Sequence, residues 1–220
     1  MTYSPLTKSA LPLTITVGGE AFPIRTDFRA GIEFEQIVAD ATIPDGTRAV
    51  LALDCWFPDG WPACDLRELI EAVMEFYRCG KPESKTTSQR LYDFGHDWDA
   101  IYSAFLAAYR LDLLDAEYLH WWRFRAMLQD LPAESTFARA VGYRGAKPSK
   151  GMSDEQKKHL REMQRLYALP RDEEVAGFRT EDDFRAHLAE QRELARVAAD
   201  RMGEGDAPAS DGSGRAAEPE

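Results

Sequence analysis

YDFGHDWDAIYSAFLAAYRLDLLDAEYLHWWRFRAMLQDLP, residues 92–132, is the densest apolar stretch of the chain and decides its fold. Within it, Trp98, Ile101, Tyr102, Phe105, Leu106 and Tyr109 recur at three–four spacing, the period of an α-helix face. Asp97 stands where an N-cap belongs. A second helix is expected over AEYLHWWRFRAMLQDL (116–131), with Asp115 as its cap. On that helix Tyr118, Trp121, Phe124, Arg125 and Leu128 cover one side, and Trp122 and Ala126 another. Aromatic residues nearly all round predict a central, widely buried helix.

Toward the N-terminus the same period continues. Residues 64–79 place Leu66, Leu69, Ile70, Val73, Met74, Phe76 and Tyr77 on a helical stripe, with Gly80 at the expected C′ position and Pro82 beyond. TRAVLALDCWF (47–57) reads as a short buried helix, with a strand as the alternative, because short apolar runs carry no decisive period. FRAGIEFEQIVAD (28–40) follows the cap pair Thr26-Asp27 and is broken by Pro44-Asp45-Gly46. Before it, LTITVGGEAFPI (13–24) has two β-prone runs around Gly18-Gly19, the composition of a tight hairpin. A lone hairpin is marginal and must pack on something. Residues 1–12, with Pro5 and Pro12, read as a flexible arm, and 81–90 as a polar linker.

Toward the C-terminus, residues 134–141 predict a short helix ending at Gly142. Ser153 with Gln156 has capping-box spacing and opens a helix over 153–168 that Pro170 ends. Residues 179–202 carry a thin apolar stripe among charges of alternating sign, a solvated or partner-binding helix. Of residues 203–220, 12 of 18 are Gly, Ala, Ser or Pro, which predicts a disordered acidic tail. The expected class is mostly α: a multi-helix domain over 13–170 with a small N-terminal β-hairpin. A charged helical extension (171–202) and the tail (203–220) complete it.

Composition narrows the function classes. With 27 Lys+Arg against 38 Asp+Glu the net charge is -11, so nucleic acid and anionic membrane are disfavoured partners. No apolar run is long enough for a membrane span, and the N-terminus lacks the pattern of a secretory signal. Cys55, Cys64 and Cys79 are odd in number and form no C-x-x-C, which argues against a disulfide framework or structural zinc and fits a reducing cytoplasm. His96, Asp97, Asp99 and His120 are better explained by helix capping than by metal ligation, because no helical metal-ligand spacing is present. The cysteines sit in apolar or helical runs, as inert buried thiols do. No nucleophile elbow or phosphate-binding glycine loop occurs, and acid pairs such as Glu33/Glu35 and Asp112/Asp115 read as solvated faces. No catalytic, cofactor-binding or metal-binding residue is identified, and an enzyme is not expected.

The chemistry-bearing cluster is aromatic. Tyr118, Trp121, Trp122 and Arg125, with Tyr102 and Tyr109 on the preceding helix, are residue types favoured as anchors at binding interfaces. They are equally the residues of an aromatic core. Trp121 and Trp122 project about 100° apart on a helix, which leaves room for one of them to reach a surface groove. Residues 26–79 carry 11 Asp/Glu against 4 Arg, an excess that serves either a basic partner or solubility alone.

In TDFRAGIEFEQIVAD (26–40), EAVMEFYRCGK (71–81), VGYRG (141–145), MQRLYALP (163–170) and above all the 92–132 stretch with LHWWRFRAML, the sequence resembles the bacteriophage gene-product-fifteen family. These are proteins of long-tailed phages and prophages, chiefly of Gram-positive hosts. The resemblance covers about residues 14–170, and Gly95 stands where the family pattern has an acidic residue. It implies a place in the tail gene module, just before the tape-measure gene. Proteins in that slot resemble tail assembly chaperones, which bind the tape-measure protein in the host cytoplasm before the tail tube polymerises. Other tail proteins are further candidate partners. A structural component of the phage tail is the alternative.

Overall fold

A computed structural model of the chain describes residues 10–82 and 90–170, all within the unit Met1–Val175. The expected charged helix and acidic tail, and most of the N-terminal arm and of the 81–90 linker, lie outside the described residues. Among the described residues, a two-stranded antiparallel hairpin, β1 (Thr14–Val17) and β2 (Glu20–Pro23), precedes seven helices. These are α1 (Phe28–Ala39), α2 (Asp45–Asp54), α3 (Leu66–Tyr77), α4 (Trp98–Tyr109), α5 (Trp121–Gln129), α6 (Thr136–Gly145) and α7 (Asp154–Leu166). Among the described residues, no helix is long and apolar enough to cross a membrane.

The hairpin forms as Gly18-Gly19 predicts. Both glycines have positive φ, 59° and 85°, and Val17 pairs with Glu20 across the turn. That left-handed pair matches the twist of the flanking strands and is nearly free of cost only for glycine. Ile15 and Val17 alternate inward and pack on α3, which supplies the support a lone hairpin lacks. Residues 45–54 settle as helix, not strand, beginning two residues earlier and ending three earlier than expected.

α3 is capped by Asp65, whose carboxylate accepts the N–H groups of Arg67 and Glu68. Its end corrects the expected C′ glycine. Arg78 is the C-cap, and Cys79 takes the left-handed C′ position at φ 58°. Cys79 N–H bonds to Phe76 O at 2.9 Å and Gly80 N–H to Glu75 O at 3.0 Å, the paired bonds of a Schellman motif.

α5 is shorter than the 116–131 expectation, and Asp115 does not cap it. The chain instead turns at 113–115, and His120 bridges to Asp27 at the start of α1. Phe28 N–H bonds to Leu119 O at 2.8 Å, and Trp121 N–H to Thr26 O at 2.7 Å. Asp27 caps α1 through Arg29 N–H and also accepts Leu119 N–H at 3.2 Å. His120 then becomes the N-cap, its Nδ1 accepting Trp122 N–H at 3.0 Å. A bridge between segments more than ninety residues apart therefore fixes where α5 begins.

α6 continues through Gly142 to Gly145, three residues past the expected end. Tertiary contacts outweigh the glycine there. Tyr143 stacks on Tyr167 at 5.6 Å, and the buried Arg144 is held by partners outside the helix. α7 carries the expected capping box, with Gln156 N–H to Ser153 Oγ at 3.2 Å and Ser153 N–H to Gln156 Oε1 at 2.9 Å.

α1 packs on α2 and α5, α4 on α5 and α6, and α6 on α7. Trp56, Trp121, Phe105, Phe124, Leu69 and Val73 are the largest fully buried side chains. Burying a Val, Leu or Phe contributes about 1.5–3 kcal/mol, so this cluster is the main source of stability. Gly31 permits the close crossing of α1 and α5, since a Cβ there would stand 2.2 Å from Trp121 Cε3.

Candidate partner-binding surface

α5 supplies the largest aromatic side chains, and the structure commits them to the core. Trp121 is 0% exposed, stacked between Tyr77 at 5.6 Å and Phe124 at 5.8 Å. Its Nε1–H donates to Tyr77 O at 2.9 Å, and the half-buried Trp122 donates Nε1–H to Phe76 O at 2.8 Å. The last carbonyls of a helix have no partner within it. Two adjacent indoles thus bind carbonyls at the end of α3, and the 100° offset between them lets both reach it.

Arg125 closes a second network. Its Nη1 donates to Tyr92 Oη at 2.5 Å and stands 3.6 Å from Glu35 Oε2, while its guanidinium lies over the Tyr77 and Trp121 rings. Tyr77 Oη donates to Glu35 Oε2 at 2.7 Å. Burial, then the adjacent Glu35 carboxylate, pushes the Tyr77 hydroxyl far up and Tyr92 up to about 12. Both phenols therefore stay protonated near neutral pH, and the group acts as a clamp joining α1, α3, α5 and the segment before α4.

The other sequence-predicted residues divide. Tyr109 is half-buried and donates its hydroxyl to Met127 O at 2.8 Å. Tyr118 is exposed, its hydroxyl 2.8 Å from Thr26 Oγ1. Tyr102 is half-buried, donating to Asp112 Oδ2 at 3.0 Å. That bond, more than burial, raises the Tyr102 hydroxyl and helps hold the Asp112 carboxyl low, after the Leu114 N–H that Asp112 also accepts.

α4 itself carries an uncovered side. Ile101, Ala104 and Phe105 face the core. Trp98 and Leu106, with Tyr102 between them at four-residue spacing, lie on a neighbouring strip and are 57% and 41% exposed. Asp99 borders this row on the helix. Asp112, tied to Tyr102, brings the exposed Leu114 and Asp115 of the following loop near it. The result is an apolar row with an acidic margin. Sequence reasoning counted Trp98 and Leu106 among the apolar positions of the helix but missed them as a surface. The available signal was that WDAIYSAFLAAY is apolar nearly all round, more than one buried face requires.

Asp97 sits at the N-cap of α4, yet its side chain makes no cap bond. The expected capping role is corrected: its two oxygens accept Arg144 Nη1 and Nη2 at 2.7 and 2.8 Å, and Oδ2 also accepts Asp93 N–H at 3.0 Å. Arg144 Nη1 further donates to Leu91 O at 3.0 Å. This pair, with side chains 6% and 5% exposed, joins the start of α4 to α6. His120, buried as the cap of α5, does not join His96, Asp97 and Asp99. Among the described residues no group of three or more His, Cys, Asp or Glu is placed to hold a metal.

No curated protein and no solved structure matches the chain. A family model described as bacteriophage Gp15 protein does match, over residues 7–169, a span that takes in both strands and all seven helices. The chain that builds this aromatic core and its uncovered α4 row therefore belongs to the bacteriophage Gp15 protein family.

Proposed function

We propose that this protein is a non-enzymatic, tail assembly chaperone-like protein that binds the phage tape-measure chain in the host cytoplasm before the tail tube polymerises. The observation that carries the reading is the α4 row. Trp98, Tyr102 and Leu106 offer one helical turn after another of apolar surface beside Asp99, Asp112 and Asp115. A tape-measure chain exposes long amphipathic helical stripes until it is covered. A row with anchors four residues apart fits such a stripe, and the acidic margin keeps the complex soluble. Family membership supplies the phage context. Neither nucleic acid nor membrane has a part in this reading, because the chain is strongly acidic and its partner is apolar.

The test is co-expression with the tape-measure protein of the same phage, followed by pull-down at low salt and at about 0.5 M, where the Debye length is only a few Å. The complex is expected at both salts. Trp98→Ala combined with Leu106→Ala should weaken it by at least tenfold, as loss of interface anchors does, without shifting the melting temperature by more than a few degrees. Absence of a complex at both salts, or stoichiometric recovery of the protein from finished virions, overturns this reading. The second outcome would support a structural tail component.

A further inference from the structure

A groove of about 880 Å³ opens between the tip of the hairpin and α3. One wall is Thr16–Gly18, the floor includes Ile70 and Met74, and Arg78 and Lys81 stand at the far end. Leu66 and Ile70, 50% and 38% exposed, continue with Met74 as a row one residue in four along α3. This row is separate from Leu69, Val73 and Phe76, which feed the core. α3 is therefore apolar on two strips, and the second is uncovered at Leu66 and Ile70 while Met74 is half-buried against the core.

The charges along the groove are polarised. Glu68, Glu71 and Glu75 line it, and of these Glu71 is paired, with Arg67 at 3.3 Å on the surface. At the other end, Arg78 Nε is buried and has no hydrogen-bond partner among the described residues, and Arg78 forms no ion pair among them. Among the described residues, Lys81 Nζ donates to the neutral Gln129 Oε1, at 3.2 Å. The enclosed Nε is not reached from the groove, but Arg78 lines it, and a carboxylate is the acceptor that suits a guanidinium best.

We propose that this groove docks an amphipathic helix of another protein. Its apolar side chains, at three–four spacing, lie over Leu66, Ile70 and Met74. Its basic side chains run beside Glu68 and Glu75, and a carboxylate at its C-terminal end meets Arg78 and Lys81. The helix dipole reinforces that direction, since the negative end of the ligand then faces the two cations. Strand addition is the weaker fit. Leu13 pairs with Ile24 and Val17 with Glu20, so the alternating ladder turns only Thr14 and Thr16 toward the free edge of β1. Two residues offer too little backbone to hold a strand. The groove shares no residue with the α4 row, and the inference stands apart from the tape-measure reading.

The test uses the full chain and two fluorescein-labelled synthetic helices of about 15 residues, enough to span α3. Both carry leucines at three–four spacing and lysines on one flank. One ends in two glutamates and the other in two lysines. By fluorescence anisotropy the glutamate peptide should bind saturably and at least about tenfold tighter than the lysine peptide, as expected for a charge-paired contact. Ile70→Glu should abolish binding, Arg78→Glu should reverse the preference between the peptides, and Trp98→Ala should bind like the wild type. The comparison of two peptides on the wild type needs no variant to fold. Lack of saturable binding, equal affinity for the two peptides, or unchanged binding by Ile70→Glu overturns the proposal.

Discussion

Replacing Gly31 by alanine sets two effects against each other. Gly31 lies inside α1, where alanine favours the helix over glycine by about 1 kcal/mol. Local propensity alone therefore predicts a more stable protein. The structure predicts the opposite. The new Cβ would lie 2.2, 2.4 and 2.5 Å from Cε3, Cδ2 and Cζ3 of Trp121, where ordinary contact begins at 3.4 Å. The indole has little freedom to retreat. It is fully buried, stacked between Tyr77 and Phe124, and held by Nε1–H to Tyr77 O at 2.9 Å. Overpacking a well-filled core costs about 1–3 kcal/mol, and a rigid ring met at three atoms belongs at the upper end.

After the propensity gain, the net loss is about 2 kcal/mol. For a domain of this size each kcal/mol moves the midpoint by about 2–4 °C, so Gly31→Ala should melt roughly 4–8 °C lower. Thermal unfolding followed by circular dichroism reads this directly. Trp121→Leu frees the space, and Gly31→Ala in that background should show the propensity gain of about 1 kcal/mol. The two sites should therefore couple by about 3 kcal/mol in a double-mutant cycle. A melting temperature that is unchanged or raised, or a loss equally large in the Trp121→Leu background, would refute the close crossing of α1 and α5.

Arg144→Ala should cost about 3–5 kcal/mol in chemical denaturation, because it strands the buried Asp97 carboxylate, while Asp97→Leu with Arg144→Met should recover part of the loss. Burial, opposed by the bond to Pro12 O and aided by Arg123, holds His120 below its ordinary 6.5. Its folded pKa is thus lower than its unfolded one, so the stability is fully present above the unfolded value and is lost as pH falls through it toward the folded value. Protonation would also block Nδ1 as the acceptor for Trp122 N–H, and His120→Asn should flatten the slope of unfolding midpoint against pH. In native-state labelling with a thiol reagent, Cys64 should react first. Cys55, buried and pushed up to about 12, should react only on unfolding, and labelling of Cys55 ahead of Cys64 would contradict its placement.

The elements legible in the sequence are those whose ends are set locally. The hairpin follows from two glycines. The start of α1 follows from Asp27, the start of α7 from a capping box, and α3 from its period. The misplaced ends are those set by distant partners. Asp115 looks like a better cap than His120, and histidine is not a favoured N-cap residue. His120 takes the role because the strand-like bridge to Asp27 reaches that far and stops there. Gly142 looks like a helix end, yet Arg144 is wanted by Asp97 and by the Leu91 carbonyl, and α6 runs on to deliver it. Cys79 in a left-handed conformation could not be read against the glycine beside it. For the candidate surface the limit was of another kind. A helix apolar nearly all round shows that more than one side is covered or used, but not which side meets the core.

Packing decides which side of each helix meets the core. The aromatic residues of α5 bind each other, the end of α3 and the Glu35 clamp, so Trp121 and Arg125 stabilise the fold through many partners at once. Substitutions there remove packing and expose buried polar groups together, and any loss of binding would follow from loss of structure. Trp98 and Leu106 lie beside this core without closing it, with much of their surface in water. Their truncation removes little burial from the isolated protein and so leaves stability nearly unchanged. A partner that covers the row would restore the burial the free protein lacks, which makes the same two residues weak contributors to folding and strong contributors to association. If a partner covers the α4 row, stability and binding are separable there, whereas on α5 a loss of binding would be inseparable from a loss of structure.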